Sequence, residues 1–158
     1  MTDVMFVDRA LLESLSAEAR VAPRLRRNRN FHADLAEPSQ RLLNAIEPGS
    51  YIVPHRHRDP ARNETIFAVA GRLGLVVFDD EGSVVATRVL EPGGDAIGVD
   101  LPAGTWHSLV ALAPGTVMFE AKAGPYAPVP PGDLASWAPR EGESGAREYV
   151  ARLEGLFA

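Results

Sequence analysis

The sequence predicts a mainly β chain folded as an antiparallel jelly roll or small barrel, with short helices at its two ends. Three observations predict it. Runs rich in Val, Ile, Leu and Phe recur roughly every eight to twelve residues between Gln40 and Lys122. Turn chemistry separates them, as in Glu47-Pro48-Gly49, Asp79-Asp80-Glu81-Gly82, Glu91-Pro92-Gly93-Gly94, Pro102-Ala103-Gly104 and Ala113-Pro114-Gly115. No run of helical period lies between them, which argues against a βαβ sheet.

The expected strands are 41–46, 50–57, 64–70, 73–78, 84–90, 96–101, 106–112 and 116–122. Residues 79–82 join two apolar runs as a hairpin. Ahead of them, Asp8 caps a helix in which Leu11, Leu12 and Leu15 gather on one side, Ser16 caps a second short turn over 17–20, and Pro23 ends it. Residues 24–38 show no clear period and read as an ordered loop or an edge strand. Behind the strands, a Pro-rich extended arm runs through 125–132. A final helix over 145–157, capped by Ser144, carries Ala146, Tyr149, Val150, Leu153 and Phe157 as an apolar stripe. That stripe needs either the barrel or a neighbouring subunit to lie on. The expected organisation is one structural domain: an extension over 1–39, a β-barrel over 40–124, and the arm with its helix over 125–158.

A chain of 158 residues is of single-domain size. Its 46% hydrophobic and 23% charged residues, with 14 Gly and 13 Pro, exclude disordered and collagenous classes. The net charge of -5 gives no counterion-release drive toward nucleic acid or anionic lipid, so neither is expected as a partner. The basic run Arg24-Leu25-Arg26-Arg27-Asn28-Arg29 reads as a solvated or salt-bridged segment. With no cysteine, disulfides, thiolate metal sites and Cys nucleophiles are excluded. An acid near the start, where a signal peptide needs bases, and apolar runs far shorter than the roughly 20 residues of a membrane span make a cytoplasmic protein the expectation.

Chemistry concentrates at the histidines. His55-Arg56-His57 is a His-x-His on an expected strand, and alternation would turn both rings, together with Val53 and Tyr51, to one face. Glu64 opens the next strand, and His107 follows the Pro102-Ala103-Gly104 turn. Three imidazoles and a carboxylate suit first-row divalent metals, with Fe, Mn, Ni, Zn or Cu as the candidates, and leave positions open for a ligand. His-x-His alone would fit an exposed basic stretch, Pro54 to Arg58, equally well.

The spacing of Gly49, His55-x-His57, Glu64 and Gly71 resembles the first motif of the cupin superfamily, and Pro102-Ala103-Gly104-Thr105-Trp106-His107 resembles its second, Pro-x-Gly-x-x-His. The resemblance implies a double-stranded β-helix, or jelly-roll barrel, holding one divalent metal through His55, His57, Glu64 and His107. The interval from His57 to Glu64 is longer than the usual cupin spacing, which makes Asp59 the alternative carboxylate. Longer phrases resemble the WbuC family of cupin-fold metalloproteins: Pro23 to His32, Gln40 to Tyr51, Pro54 to His57, and Phe119 to Tyr126. That family is linked to bacterial O-antigen and other surface-polysaccharide gene clusters; the resemblance implies a fold and a metal, not a substrate, and the expected ligand is a small sugar-like or carboxylate molecule.

Around that site, Tyr51 is the candidate proton donor. Glu120 and Lys122 share one face of the last strand, either interior as a ligand-holding pair or exterior as a surface ion pair. Arg26, Asn30 and His32 are candidates to reach an anionic or sugar ligand from the 24–38 segment, against a loop that caps its own turns. Three functions compete: a metal-dependent small-molecule enzyme, a non-catalytic saccharide or nucleotide-sugar binding module, and a metal-independent sugar isomerase or epimerase. A transcription-regulator cupin is weakest, because no helix-turn-helix flanks the strands. Cupin pairing through barrel faces or terminal segments implies a homodimer.

Overall fold

The structure, a computed structural model, describes residues 4–58 and 60–158. Helix α1 (Arg9–Val21) is followed by eight strands: β1 (Arg26–Asn30), β2 (Ser39–Ile46), β3 (Glu64–Ala70), β4 (Leu73–Phe78), β5 (Val84–Leu90), β6 (Gly98–Leu101), β7 (Trp106–Ala111) and β8 (Thr116–Ala123). Helix α2 (Ala146–Gly155) closes the chain. The strands form a five-stranded sheet in the order β1-β2-β8-β3-β6 and a three-stranded sheet in the order β5-β4-β7, with every pairing antiparallel. This is the double-sheet jelly roll that the sequence predicts.

Period-two alternation divides each central strand between two environments. On β2, β3, β4, β7 and β8, the side chains of Ile46, Ile66, Leu75, Leu109 and Met118 meet in an apolar cluster between the sheets. Their sequence neighbours Leu43, Ala45 and Val117 pack instead against Leu15 and Ala19 of α1. Val76, Phe78 and Val110 pack against Tyr149, Val150 and Leu153 of α2, so the outer face of each sheet carries one terminal helix. The apolar stripe of α2 is thus consumed by its own barrel.

Local chemistry accounts for the details. Asp8 caps α1 by accepting from the Leu11 N–H at 2.9 Å. The helix then continues unbroken to Val21, because Ser16 is buried against the sheet and caps no second turn. The N-cap of α2 is Gly145 in the left-handed region (φ 88°) rather than Ser144, and no side chain caps it. Gly71, with φ 69°, joins β3 to β4 where an added Cβ would lie 2.5 Å from Thr116 Oγ1, so the turn admits only glycine. Residues 26–30 form an edge strand of the larger sheet.

The expected strand over 50–57 is the main departure. Only His55 makes ladder contacts, as a bridge to His107 on one side and to Leu134 on the other. The segment is held by dispersed bonds: His55 N to His107 O and His107 N to His55 O at 3.0 Å, Arg56 N to Asp133 O at 2.9 Å, Ala135 N to Pro54 O at 2.9 Å, and Ser108 Oγ to Ile52 O at 2.6 Å. Pro54 supplies no N–H, and the backbone between Tyr51 and His57 does not keep strand alternation. Tyr51 and Val53 consequently join the cluster under α2, while Ile52 packs with the inner cluster.

Truncating Leu153, 1% exposed, to Ala removes the centre of the α2 contact and should cost about 2–5 kcal/mol in urea unfolding. Leu156→Ala, at a position 42% exposed, should stay within about 0.5 kcal/mol of the parent.

Candidate metal centre

The four ligand candidates come from three separated pieces of chain. His55 and His57 lie on the irregular segment, Glu64 is the first residue of β3, and His107 is the second residue of β7. The His55–His107 bridge fixes the distance between segment and strand, and ring centroids stand 4.5 Å apart for that pair, 5.1 Å for His55 and His57, and 6.0 Å for His57 and His107. One donor atom from each of the four residues falls within 4.8 Å of the other three. Asp59, the alternative carboxylate, lies outside the described residues.

Hydrogen bonding prepares the rings for coordination. The Nδ1 of His55 lies 2.9 Å from the Val53 carbonyl, and that of His107 lies 2.9 Å from the Thr105 carbonyl. A carbonyl only accepts, so each Nδ1 carries the proton and each Nε2 keeps its lone pair, the tautomer that metal-binding histidines adopt. Burial, reinforced by the neighbouring His107, pulls His55 down to about 3 and keeps it neutral. His57 Nε2 and Glu64 Oε2 are buried and have no hydrogen-bond partner, although they lie 3.4 Å apart, and Glu64 Oε2 lies 3.0 Å from His107 Nε2. Buried orphans on facing donor atoms are costly unless something else satisfies both, and a cation between them would do so.

The second oxygen of Glu64 is taken. Lys122 Nζ lies 3.3 Å from Glu64 Oε1 and 2.9 Å from Glu120 Oε1, so Oε2 is the oxygen left for the histidines. Strand register makes this contact, since Glu64 and Lys122 are directly paired across β3 and β8, with Glu120 two residues before on the same face. Burial pushes the Glu64 carboxyl upward, but its polar neighbours Glu120, His107 and His57 and the Lys122 ammonium outweigh that and hold it well below the usual carboxylate range. Burial, followed by the charge of Glu64, raises Glu120 to about 8. Burial works to lower Lys122, but Glu120 and Glu64 more than offset it and raise its pKa. Of the two placements considered for Glu120 and Lys122, the interior one is found.

The cluster lines a cavity of about 740 Å³ whose walls include the apolar Ile52, Leu109 and Met118 and the polar Asn28, Asn44, Glu120 and Lys122. Tyr51 is not brought to it: its hydroxyl donates to the Pro139 carbonyl at 2.7 Å, and its ring packs edge-on to Tyr149 at 5.7 Å. Arg26 lines the mouth, but its guanidinium donates to Glu141 at 3.1 and 3.0 Å and to the Tyr51 carbonyl at 3.1 Å. His32 is buried, and its Nδ1 lies 3.0 Å from both the N–H and the carbonyl oxygen of Arg41, a contact that closes its own loop. Asn30 and His32 border a second, adjoining cavity. Sequence reasoning missed Asn44, whose buried Oδ1 has no partner; the signal was an Asn amid the apolar run Leu42-Leu43-Asn44-Ala45-Ile46.

Glu141 clamps the mouth by joining the arm after β8 to Arg24 and to Arg26 at the start of β1. Arg24 donates to both of its oxygens at 2.7 Å, and that hydrogen bonding, with the Arg26 bonds, holds the carboxyl down at about 2. A carboxyl lowered on folding stabilises above its unfolded pKa of about 4.5, and the stabilisation disappears as pH falls toward 2. Arg24 is exposed, so Glu141→Gln should cost only about 0.5–1 kcal/mol at pH 7. The difference between variant and parent should vanish in urea melts repeated near the folded pKa.

Residues 7–90, just over half of the chain, match the family model described as a domain of unknown function, DUF6016. No curated protein matches the chain. Among solved structures, the polyketide cyclase RemF from Streptomyces resistomycificus is similar at 21% identity and a TM-score of 0.53, covering 83% of this chain and 82% of that one. BH2720 from Bacillus halodurans is similar at 19% identity and 0.53, covering 81% and 87%. KdgF from Halomonas sp. is similar at 19% identity and 0.52, covering 68% and 85%. All three are cupin-like, and the fold of this chain is the cupin jelly roll. No helix among the described residues is long and apolar enough to cross a membrane.

Proposed function

The chain belongs to the DUF6016 family, whose description carries no activity, and we propose from the site itself that it is a cupin metalloprotein holding one divalent transition metal for work on a small polar molecule. The ligands in this reading are Nε2 of His55, His57 and His107 and Oε2 of Glu64. The observation that carries it is the pair of buried, unpartnered atoms, His57 Nε2 and Glu64 Oε2, aimed into a cluster whose other rings already have Nδ1 occupied. Fe, Mn, Ni, Zn and Cu all suit such a donor set. When bound, the metal supplies Lewis-acid polarisation or, for a redox-active ion, electron transfer.

The chain's own residues do the rest. Lys122 holds Oε1 of Glu64 and so turns Oε2 to the cluster. Ser108 ties the irregular segment to β7, and the two backbone carbonyls set the ring tautomers. Asn28, Asn44, Glu120 and Lys122 give the cup polar lining for the ligand, beside the apolar Leu109 and Met118. The phrases similar to the WbuC family extend this reading to a sugar-like ligand from bacterial surface-polysaccharide metabolism. The exposed Val84 and Val85 on β5, with Ile97, supply apolar surface for a homodimer, since the α2 stripe is already covered.

Protein purified without a tag or added metal should carry close to one metal per chain by plasma mass spectrometry. His57→Ala should lose it. Glu64→Gln should weaken retention by more than the roughly 10–100-fold typical of outer-sphere losses. Both variants should keep the parent circular dichroism. Full metal content in His57→Ala, or none in the parent after adding Fe, Mn, Ni or Zn, would remove the reading.

A further inference from the structure

The cup does not end at the histidines. Its wall of Asn28, Asn44, Glu120 and Lys122 is shared with a second cavity of about 360 Å³, which Asn30, Gln40, Arg62 and Tyr126 also line. Strand register sets the two chambers side by side. Asn28 pairs with Asn44 across β1 and β2, Gln40 with Lys122 across β2 and β8, and Lys122 with Glu64 across β8 and β3. Polar side chains therefore run from the edge strand toward the histidine cluster, with Leu42 the apolar member between Asn44 and Gln40.

Two features of the second chamber are unfinished. Asn44 is 8% exposed, and its Oδ1 is buried with no donor. Arg62 gives its backbone N–H to His57 O at 3.2 Å, but its guanidinium has no acceptor among the described residues. The other cations of the two chambers are paired: Lys122 with Glu64 and Glu120, Arg24 and Arg26 with Glu141, and Arg27 with Glu18. With a divalent cation at the cluster, Lys122 and Arg62 against Glu64 and Glu120 leave the combined space net positive, which selects an anion. An unsatisfied amide oxygen asks for a hydroxyl, and an unpaired guanidinium asks for a carboxylate.

We propose that the two chambers form one site for a hydroxylated carboxylic acid, with its carboxylate on Arg62 and its hydroxyl chain passing Asn44 to the histidine cluster. This inference rests on the metal reading. A neutral polyol would leave Arg62 bare, and a short acid would fill one chamber only.

Calorimetric titration of the metal-loaded protein tests it, with gluconate as the probe and sorbitol, the same carbon chain without the carboxylate, as its counterpart. Gluconate should bind, and sorbitol should bind at least about tenfold more weakly. Arg62→Gln should lose about tenfold or more in gluconate affinity at unchanged metal content, with Arg62→Lys restoring part of it. Arg62 is half-buried on a loop, so these variants leave the core intact. Metal-loaded protein that ignores gluconate, binds sorbitol equally, or binds gluconate as well in Arg62→Gln overturns the inference alone. Protein that takes up no metal overturns the metal reading and this inference together.

Discussion

A carboxylate buried inside a barrel is the constraint around which this fold is arranged. Glu64 has a side chain only 4% exposed and sits at the first position of β3, where the sheet cannot bend away to hydrate it. An uncompensated buried charge costs several kcal/mol. Lys122 answers one oxygen from the neighbouring strand, and His107 from the opposite sheet and His57 from the irregular segment face the other. Both halves of the barrel must close for that set to exist, which couples site geometry directly to fold integrity. The same logic explains why Lys122 is enclosed by two carboxylates: one cation between Glu64 and Glu120 lets two acids share a face of β8 and β3.

Such a polar interior is tolerable because the apolar contacts that hold the sheets lie largely outside it. Leu43, Ala45 and Val117 are buried under α1, and Val76, Phe78 and Val110 under α2. Between the sheets, the apolar cluster fills one end, where Ile66, Leu73 and Leu90 are fully enclosed. The other end is free to carry Asn, Glu, Lys and His. The terminal helices are therefore part of what makes the site possible, since without them both outer faces would need water and the strands would lose their second layer.

Much of this was legible in the chain, and for identifiable reasons. The strands over 64–70, 73–78 and 84–90 have the bounds their residues predict, because glycine or Asp-rich turns fix both ends of each hairpin. The His-x-His, Glu64 and His107 stood out because turn residues precede each at a spacing that a known fold uses. Tyr51 was misplaced because alternation assumes a ladder, and residues 50–57 are held by single bonds to β7 and to 133–135 instead. That partner segment lies far along the chain and carries no periodic signal. Arg26 looked available because its acceptor, Glu141, is 115 residues away. Asn44 was not singled out, because only the assembled sheet shows that its oxygen has nothing to accept from.

The irregularity of 50–57 follows from what the segment must present. A regular strand would turn His55 and His57 to the same side but would carry Tyr51 and Val53 with them, filling the cup with a phenol and an isopropyl group. Breaking the ladder at Pro54 separates those demands. Tyr51 and Val53 before it face α2 and strengthen the outer cluster, while the two histidines after it face Glu64. The lost ladder bonds are replaced by Ser108 of β7 on one side and by Asp133 and the backbone of Ala135 on the other. Placement of the rings is thus set by two separate pieces of chain, β7 and residues 133–135, rather than by one regular strand.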